Sequence, residues 1–203
     1  MPNNNPAASP TYQAARAELA ALEGQLATLQ HQANEARRNL PPGPEVSAEY
    51  AFDRIGAEGT VETVPLSTLF PASGGPLFVY SMMFGPERES ACPFCTGYLG
   101  NLDRAVAHLD GKASFVVAAR SPIERVAAHA QAQGWENLTV VSDGASTFHQ
   151  DFGAMDPETM NEWPSFDVFV KDGTTVRHHW SQQGGDDDFN PFDPAANLLA
   201  LIP

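Results

Sequence analysis

The chain has 203 residues, 42% of them hydrophobic, and a formal net charge of −14. That composition supports one packed core plus an extension and is not that of a disordered chain. So acidic a surface repels nucleic acid and anionic membrane, and neither is an expected partner. The longest apolar runs, of about seven or eight residues, fall short of the ~20 that a bilayer-crossing helix needs.

Residues 1–10 are small, polar and proline-rich and are expected to be a disordered tail. They carry neither a basic leader nor an apolar core, so no export signal is expected. From Tyr12 onward Ala15, Leu19, Leu22, Leu26, Leu29, Ala33, Ala36 and Leu40 recur alternately three and four residues apart, a heptad seam over about four heptads. The spacing predicts an amphipathic, coiled-coil-like helix over 11–40. Ser9 and Pro10 provide its cap and first turn, and Pro41-Pro42-Gly43-Pro44 stops it. Its apolar stripe suits either the domain that follows or a second chain, which would make a homodimer through residues 12–40.

Residues 48–203 read as one α/β domain. Gly59 to Phe70 predicts a short strand and turn, and Leu77 to Phe84 a strand buried on both faces. Leu99, Leu102, Val106 and Leu109 repeat at helical spacing. Ala113 to Ala119 is a second buried strand, and Ser121-Pro122 opens a helix with Ile123, Val126, Ala127 and Ala130 on one face. Leu138 to Val141 is a third strand and Ser146 to Phe152 a short helix. Phe166 to Val170 and Thr174 to Trp180 flank Asp172-Gly173, a hairpin turn, and Asp193 to Leu201 closes as a helix. Strands alternating with helices require right-handed crossovers and a parallel sheet, to which the hairpin adds an antiparallel edge. The expected class is α/β with a thioredoxin-like fold: a central mixed sheet flanked by helices, preceded by a long N-terminal helix.

Both cysteines fall in Cys92-Pro93-Phe94-Cys95, between a buried strand and the helix carrying Leu99. With no export signal the expected setting is a reducing, cytoplasmic one. There, close cysteines are catalytic or metal-binding more often than structural. Thiol–disulfide exchange needs one thiolate to attack and a second thiol to resolve the mixed disulfide. Two intervening residues at a helix start bring the sulfurs within reach and leave the first exposed. Free N–H groups and the helix dipole there favour an anion, and thiols in such motifs acidify from about 8.5 to ~3.5–7.5. Pro93 fits the first turn, where no donor is lost. Cys92 is therefore the expected nucleophile and Cys95 the resolving thiol. Such a dithiol carries its own electrons, so no cofactor is expected.

In these motifs the sequence resembles the thioredoxin-like family of bacterial proteins of unknown function predicted to be dithiol–disulfide oxidoreductases. The likeness runs from roughly Tyr12 to Ser181. It is carried by Arg37-Arg38-Asn39-Leu40-Pro41-Pro42-Gly43, by Met83-Phe84-Gly85-Pro86 leading into the cysteines, by Asp151-Phe152-Gly153, and by Val176-Arg177-His178-His179-Trp180-Ser181. The resemblance implies that Pro164, just before the strand at Phe166, is cis and faces the dithiol. Trp163 and Pro164 then dock a protein or small-molecule disulfide or thiol, with Pro93 and Phe94 completing the site. The sequence is also similar, in outline, to peroxiredoxins: Val140-Val141-Ser142-Asp143, Phe148 and Asp151-Phe152-Gly153 fit, and Pro86 and Ser90 stand before Cys92. One residue separates Ser90 from Cys92 where peroxiredoxins have two, a departure that counts against peroxide chemistry; a thiol peroxidase using Cys92 is the alternative activity. A non-enzymatic zinc or binding module is a further one. Thioredoxin's buried carboxylate on the strand before the motif has no counterpart beside Tyr80 and Ser81, and Ala91 replaces its tryptophan. His178 and His179 point to opposite faces of their strand, and His178 is a candidate proton carrier or, with both cysteines, a zinc ligand. Asp186-Asp187-Asp188 reads as a solvated loop, and no metal is expected.

Overall fold

A computed structural model describes residues 8–46, 49–109, 111–144 and 146–184. The chain divides into two compact units, residues 1–41 and 42–203. The first is a single 29-residue helix, α1 (Pro10–Arg38). Ser9 caps it, its Oγ accepting from the Tyr12 N–H at 3.3 Å, and Pro10 stands in the first turn. No residue of α1 is buried, and Leu19, Leu22, Leu26 and Leu29 are exposed along it.

The second unit is built on a seven-stranded sheet in the order β2-β1-β5-β4-β3-β6-β7. Its elements are β1 (Ala51–Ile55), β2 (Val61–Pro65), β3 (Leu77–Ser81), α2 (Pro93–Val106), β4 (Ser114–Ala119), α3 (Ile123–Gln133), β5 (Thr139–Ser142), α4 (Phe148–Asp151), β6 (Ser165–Asp172) and β7 (Thr175–Gln183). Strands β3, β4 and β5 are parallel, and β6 and β7 join antiparallel beyond β3. This is the mixed sheet expected from the sequence. Strand β1 is the addition. It forms a hairpin with β2 from Ala51↔Pro65 to Ile55↔Val61 and meets β5 at Asp53↔Ser142. Its sequence lacks a run of apolar residues because only Phe52 is buried. Asp53 and Arg54 are satisfied across the hairpin by the Thr63 hydroxyl at 2.6 Å and the Glu62 carboxylate at 3.1 Å. The helix expected over Asp193–Leu201 lies outside the described residues.

Alternation along the strands sorts the core into two layers. On one face Tyr80, Phe115, Val117 and Ala119 pack with Cys95, Tyr98 and Leu99 of α2 and with Ile123 and Val126 of α3. On the other, Leu77, Val79, Val116, Ala118, Val141 and Phe169 pack with Phe52, Phe148 and the Leu66–Phe70 segment. The dithiol motif thus belongs to the α2/α3 layer. Helix α2 is pinned to the opposite end of that layer by Asp103, a buried carboxylate. It accepts from the N–H groups of Asn137 (2.8 Å) and Leu138 (3.1 Å) and from the Asn137 amide (3.2 Å). Burial alone would raise this carboxyl, but those donors outweigh it and hold the pKa below its ordinary value. A carboxyl whose folded pKa is depressed stabilises the fold fully above its unfolded pKa of about 3.9 and loses that contribution as pH falls through the folded value. Asp103→Ala leaves a buried N–H at Leu138 without an acceptor, and urea denaturation should show a loss of about 3 kcal/mol at pH 7. The gap between variant and parent should close as the pH drops below about 4.

Candidate functional site

Strand β3 ends at Ser81, and the chain runs on through Met82, Met83 and Phe84 into the loop that reaches Cys92. Two backbone bonds close that loop against the sheet: Cys92 N–H to Met83 O at 3.0 Å and Ser121 N–H to Phe84 O at 2.8 Å. Cys92 is the N-cap of α2 and Pro93 occupies the first turn, as the sequence predicts. Cys95, one turn in, points to the sheet. The two cysteines approach to 3.8 Å, and both are free thiols.

Two features of Cys92 differ from expectation. It is only 8% exposed, against 0% for Cys95, because it packs with Phe84, Ala91 and Tyr98 in the α2/α3 layer. Its side chain also accepts no capping bond from the helix N–H groups. The Cys92 side chain lies beside Cys95 instead.

Cys95 shares a buried hydrogen-bond network with Tyr80 of β3. Burial pushes the Cys95 thiol up to about 11. The Tyr80 hydroxyl and the Met83 N–H, both donating to its sulfur, offset part of that rise, and the neighbouring Cys92 adds to it. Burial, and then the adjoining Cys95, push the Tyr80 phenol far above its ordinary value. Tyr80 therefore stays protonated beside the Cys95 sulfur. It also stacks on Tyr98, centroids 5.2 Å apart.

The first turn of α2 has a second polar contact. The Thr96 hydroxyl donates to Cys92 O at 2.9 Å and lies 3.1 Å from His129 Nε2 on α3. His129 is half-buried between Phe84 and Trp135, and burial lowers its pKa. This histidine, not His178, is the one close to the dithiol helix. His178 lies in the other layer, against Phe152 and Phe169, with its Nε2 2.9 Å from Asp167 Oδ1. It is not brought to the cysteines: it pairs with Phe169 and stands two residues from Val176, both of which face that other layer. His149 is buried with Asp143, 2.6 Å from Nδ1 to Oδ2. Among the described residues, no group of three or more His, Cys, Asp or Glu side chains is placed to hold a metal ion.

The Trp163–Pro164 bond is trans, since the described chain contains no cis peptide. The cis geometry expected from the resemblance is thereby corrected. Trp163 N–H donates to Ala154 O at 3.0 Å and Pro164 O accepts from Gly184 N–H at 2.7 Å, so an extended segment held at both ends leads straight into β6. That arrangement is met by the trans isomer, the default by about 0.5–1 kcal/mol. Because Ser165 pairs with Ser81, the segment still lies beside the end of β3 from which the cysteine loop departs. Trp163 (43%) and Phe94 (60%) are exposed there.

The Gly85–Ala91 loop is held by two charged side chains. Arg125 of α3 donates through Nη2 to Arg88 O and, at 2.7 Å, to Glu89 O, while its guanidinium lies 4.6 Å over the Phe84 ring. Glu162, buried, accepts from Gly85 N–H at 3.0 Å and Arg88 Nε at 2.9 Å. Gly85 is required at this approach, as a Cβ there would stand 2.6 Å from the Glu162 carboxylate. None of Tyr80, His129, Arg125 or Glu162 belongs to the expected site. Only Tyr80 had a signal in sequence, as a phenol in an otherwise apolar buried strand, where its hydroxyl needs a partner.

A family model described as a bacterial protein of unknown function (DUF899) matches residues 1–200. No curated protein matches the chain. Several solved structures do. Reduced Prx3 of Vibrio vulnificus in complex with hydrogen peroxide is 17% identical, with a TM-score of 0.53, over 80% of this chain and 99% of its own. A mutant of peroxiredoxin Q from Xanthomonas campestris is 15% identical, TM-score 0.52, over 70% and 85%. A putative thioredoxin reductase from Burkholderia cenocepacia is 13% identical, TM-score 0.53, over 81% and 98%. At these identities the likeness shows a thioredoxin-like, peroxiredoxin-type fold.

Arg125 holds the loop over the dithiol through three carbonyl groups and a cation–π contact. Arg125→Ala should therefore raise the rate of Cys92 alkylation by iodoacetamide by about tenfold, read by mass spectrometry, with Cys95 still protected.

Proposed function

We propose that this chain, which belongs to the DUF899 family of bacterial proteins, is a thiol–disulfide oxidoreductase. The observation that carries the reading is the pairing of two free thiols 3.8 Å apart at a helix start, the inner one held by a phenol donor. Cys92, at the positive end of α2 and the less buried of the two, is the attacking residue. Its thiolate displaces one thiolate from a disulfide and forms a mixed disulfide. Cys95 then loses its proton and attacks the Cys92 sulfur. The second thiolate leaves, the Cys92–Cys95 disulfide closes, and two electrons have passed to the substrate. Tyr80 donates a hydrogen bond to the negative charge that develops on Cys95. It takes the place that thioredoxin's buried carboxylate would hold, acting as a donor and not as a base.

Mixed-disulfide formation removes the Cys92 charge and thiol contacts that raise the Cys95 pKa, so the resolving step should run with a pH limb below about 11. Tyr80→Phe removes a contact that lowers that pKa. In stopped-flow measurements of resolution the limb should move to higher pH. Loss of a hydrogen bond worth about 1.4 kcal/mol to the thiolate should slow the step about tenfold at pH 7.

Cys92→Ser should abolish exchange with a model disulfide, while Cys95→Ser should accumulate a stable mixed disulfide at Cys92. Undiminished turnover in either variant contradicts the assignment. A thiol peroxidase is the second reading, favoured by Pro86 and Ser90 standing ahead of a cysteine at the same helix start. Peroxide consumption faster than disulfide exchange under the same dithiol reductant would select it. For α1 we propose pairing with a second copy through the exposed Leu19, Leu22, Leu26 and Leu29. Light scattering should give a dimer mass for the full chain and a monomer mass for Leu22→Glu/Leu26→Glu.

A further inference from the structure

Glu162 closes one side of a cavity of about 450 Å³, whose walls include Arg88, Arg120, Met160 and Trp163 along with the Gly85–Glu87 stretch. Its wall carries two guanidinium groups, Arg88 and Arg120, and two carboxylates, Glu162 and the exposed Glu87. Arg88 donates its Nε to Glu162 at 2.9 Å and turns the rest of its guanidinium outward, with a side chain 41% exposed. Arg120 is 15% exposed, and among the described residues its guanidinium has one partner, Glu162 Oε1, at 3.6 Å. That distance is beyond a hydrogen bond. The same Oε1 is buried and accepts no hydrogen bond. Arg88 and Arg120 thus both face the buried Glu162 carboxylate, with the exposed Glu87 also in the wall, and the Arg120 guanidinium makes no side-chain hydrogen bond among the described residues. The guanidinium is part of the cavity wall and open to solvent there, and the ligand group that matches its planar fork is a carboxylate or similar oxyanion.

The cavity has an apolar side as well. Trp163 and Met160 form it, and Met160 holds a φ of 60°, a left-handed conformation that a methionine adopts only at a cost of about 1–3 kcal/mol. The loop carrying it is braced by Met160 N–H to Asp156 O (2.8 Å) and Asp156 N–H to Asn161 O (2.9 Å). A short stretch of backbone links the cavity wall to the dithiol. Gly85, in its wall, is two residues from Met83, whose N–H donates to the Cys95 sulfur and whose carbonyl accepts from the Cys92 N–H.

We propose that this cavity binds the carboxylate of a small thiol or disulfide substrate, with Arg120 and Arg88 holding the anion and Trp163 and Met160 covering the apolar part. The inference rests on the dithiol reading and names its substrate class. A preference for anions is informative here because the chain's net charge of −14 opposes their approach in general.

Binding is measured by calorimetry on the full wild-type chain with thiodipropionate, a thioether dicarboxylate that cannot exchange, and with its uncharged dimethyl ester. The acid should bind about tenfold more tightly than the ester, and the difference should shrink with added salt. Arg120→Gln should erase the preference while the thermal transition of the variant remains cooperative. In exchange assays the ratio of kcat/KM for dithiodipropionate to that for hydroxyethyl disulfide should drop by the same factor in Arg120→Gln. Equal binding of acid and ester by the wild type overturns the proposal, whatever the variant does. If hydroxyethyl disulfide is still turned over in that case, the dithiol reading stands without the cavity. An acid preference in a chain that exchanges no disulfide overturns the dithiol reading and the substrate class with it.

Discussion

Cys95 is fully buried against the central sheet, and a buried thiol keeps its proton unless donors wait for the charge. The structure supplies two such donors, the Tyr80 hydroxyl from β3 and the Met83 N–H from the chain just beyond it. The rest of the site is arranged around that sulfur. Helix α2 must start where it does to set Cys95 one turn beneath Cys92, and β3 must run in the register that turns Tyr80, not Val79 or Ser81, toward the α2/α3 layer. The parallel β3–β4 pairing fixes that register from Leu77↔Ser114 to Ser81↔Ala118.

Asymmetry between the two thiols follows from the same burial. Cys92 sits at the cap, held through its own N–H and carbonyl by Met83 and Thr96. Cys95 is sealed below. An outer sulfur that meets substrate and an inner one that meets only the outer sulfur are what stepwise exchange requires. Arg125 and Glu162 hold the loop that leads from β3 to Cys92. In a chain with 11 lysines and arginines against 25 acidic residues, Arg88, Arg120 and Arg125 gather at this one loop. Glu87, Glu89 and Glu162 stand at the same loop, so these arginines are matched there by carboxylates.

Local pattern made much of this readable in the sequence. The apolar runs at β3 and β4, the helical spacing of α2 and α3, the Asp172-Gly173 turn and the position of Cys92-Pro93-Phe94-Cys95 all depend on neighbours a few residues away. What escaped depends on distant partners. Strand β1 looks unlike a strand because Asp53 and Arg54 find their partners only across a hairpin. The isomer of the Trp163–Pro164 bond is decided by an energy gap smaller than that of one hydrogen bond, and here Ala154 and Gly184 decide it. His178 and His129 exchange significance because the pairing of His178 with Phe169 and the packing of α3 on α2 are invisible to spacing. Glu162, 74 residues from Arg88 in sequence, carries no local mark at all.

The peroxiredoxin-type neighbours share the scaffold and leave the chemistry open, since one fold hosts several thiol reactions. The proposed exchange differs from a single-cysteine mechanism in its use of the second sulfur and of Tyr80 beside it. The most direct measurement is therefore a redox titration of the purified chain against glutathione couples, with free thiols mapped by alkylation and mass spectrometry. The account predicts one two-electron transition in which Cys92 and Cys95 are lost together to an intrachain disulfide. Two thiols that stay free at every potential, or that oxidise independently, would contradict it.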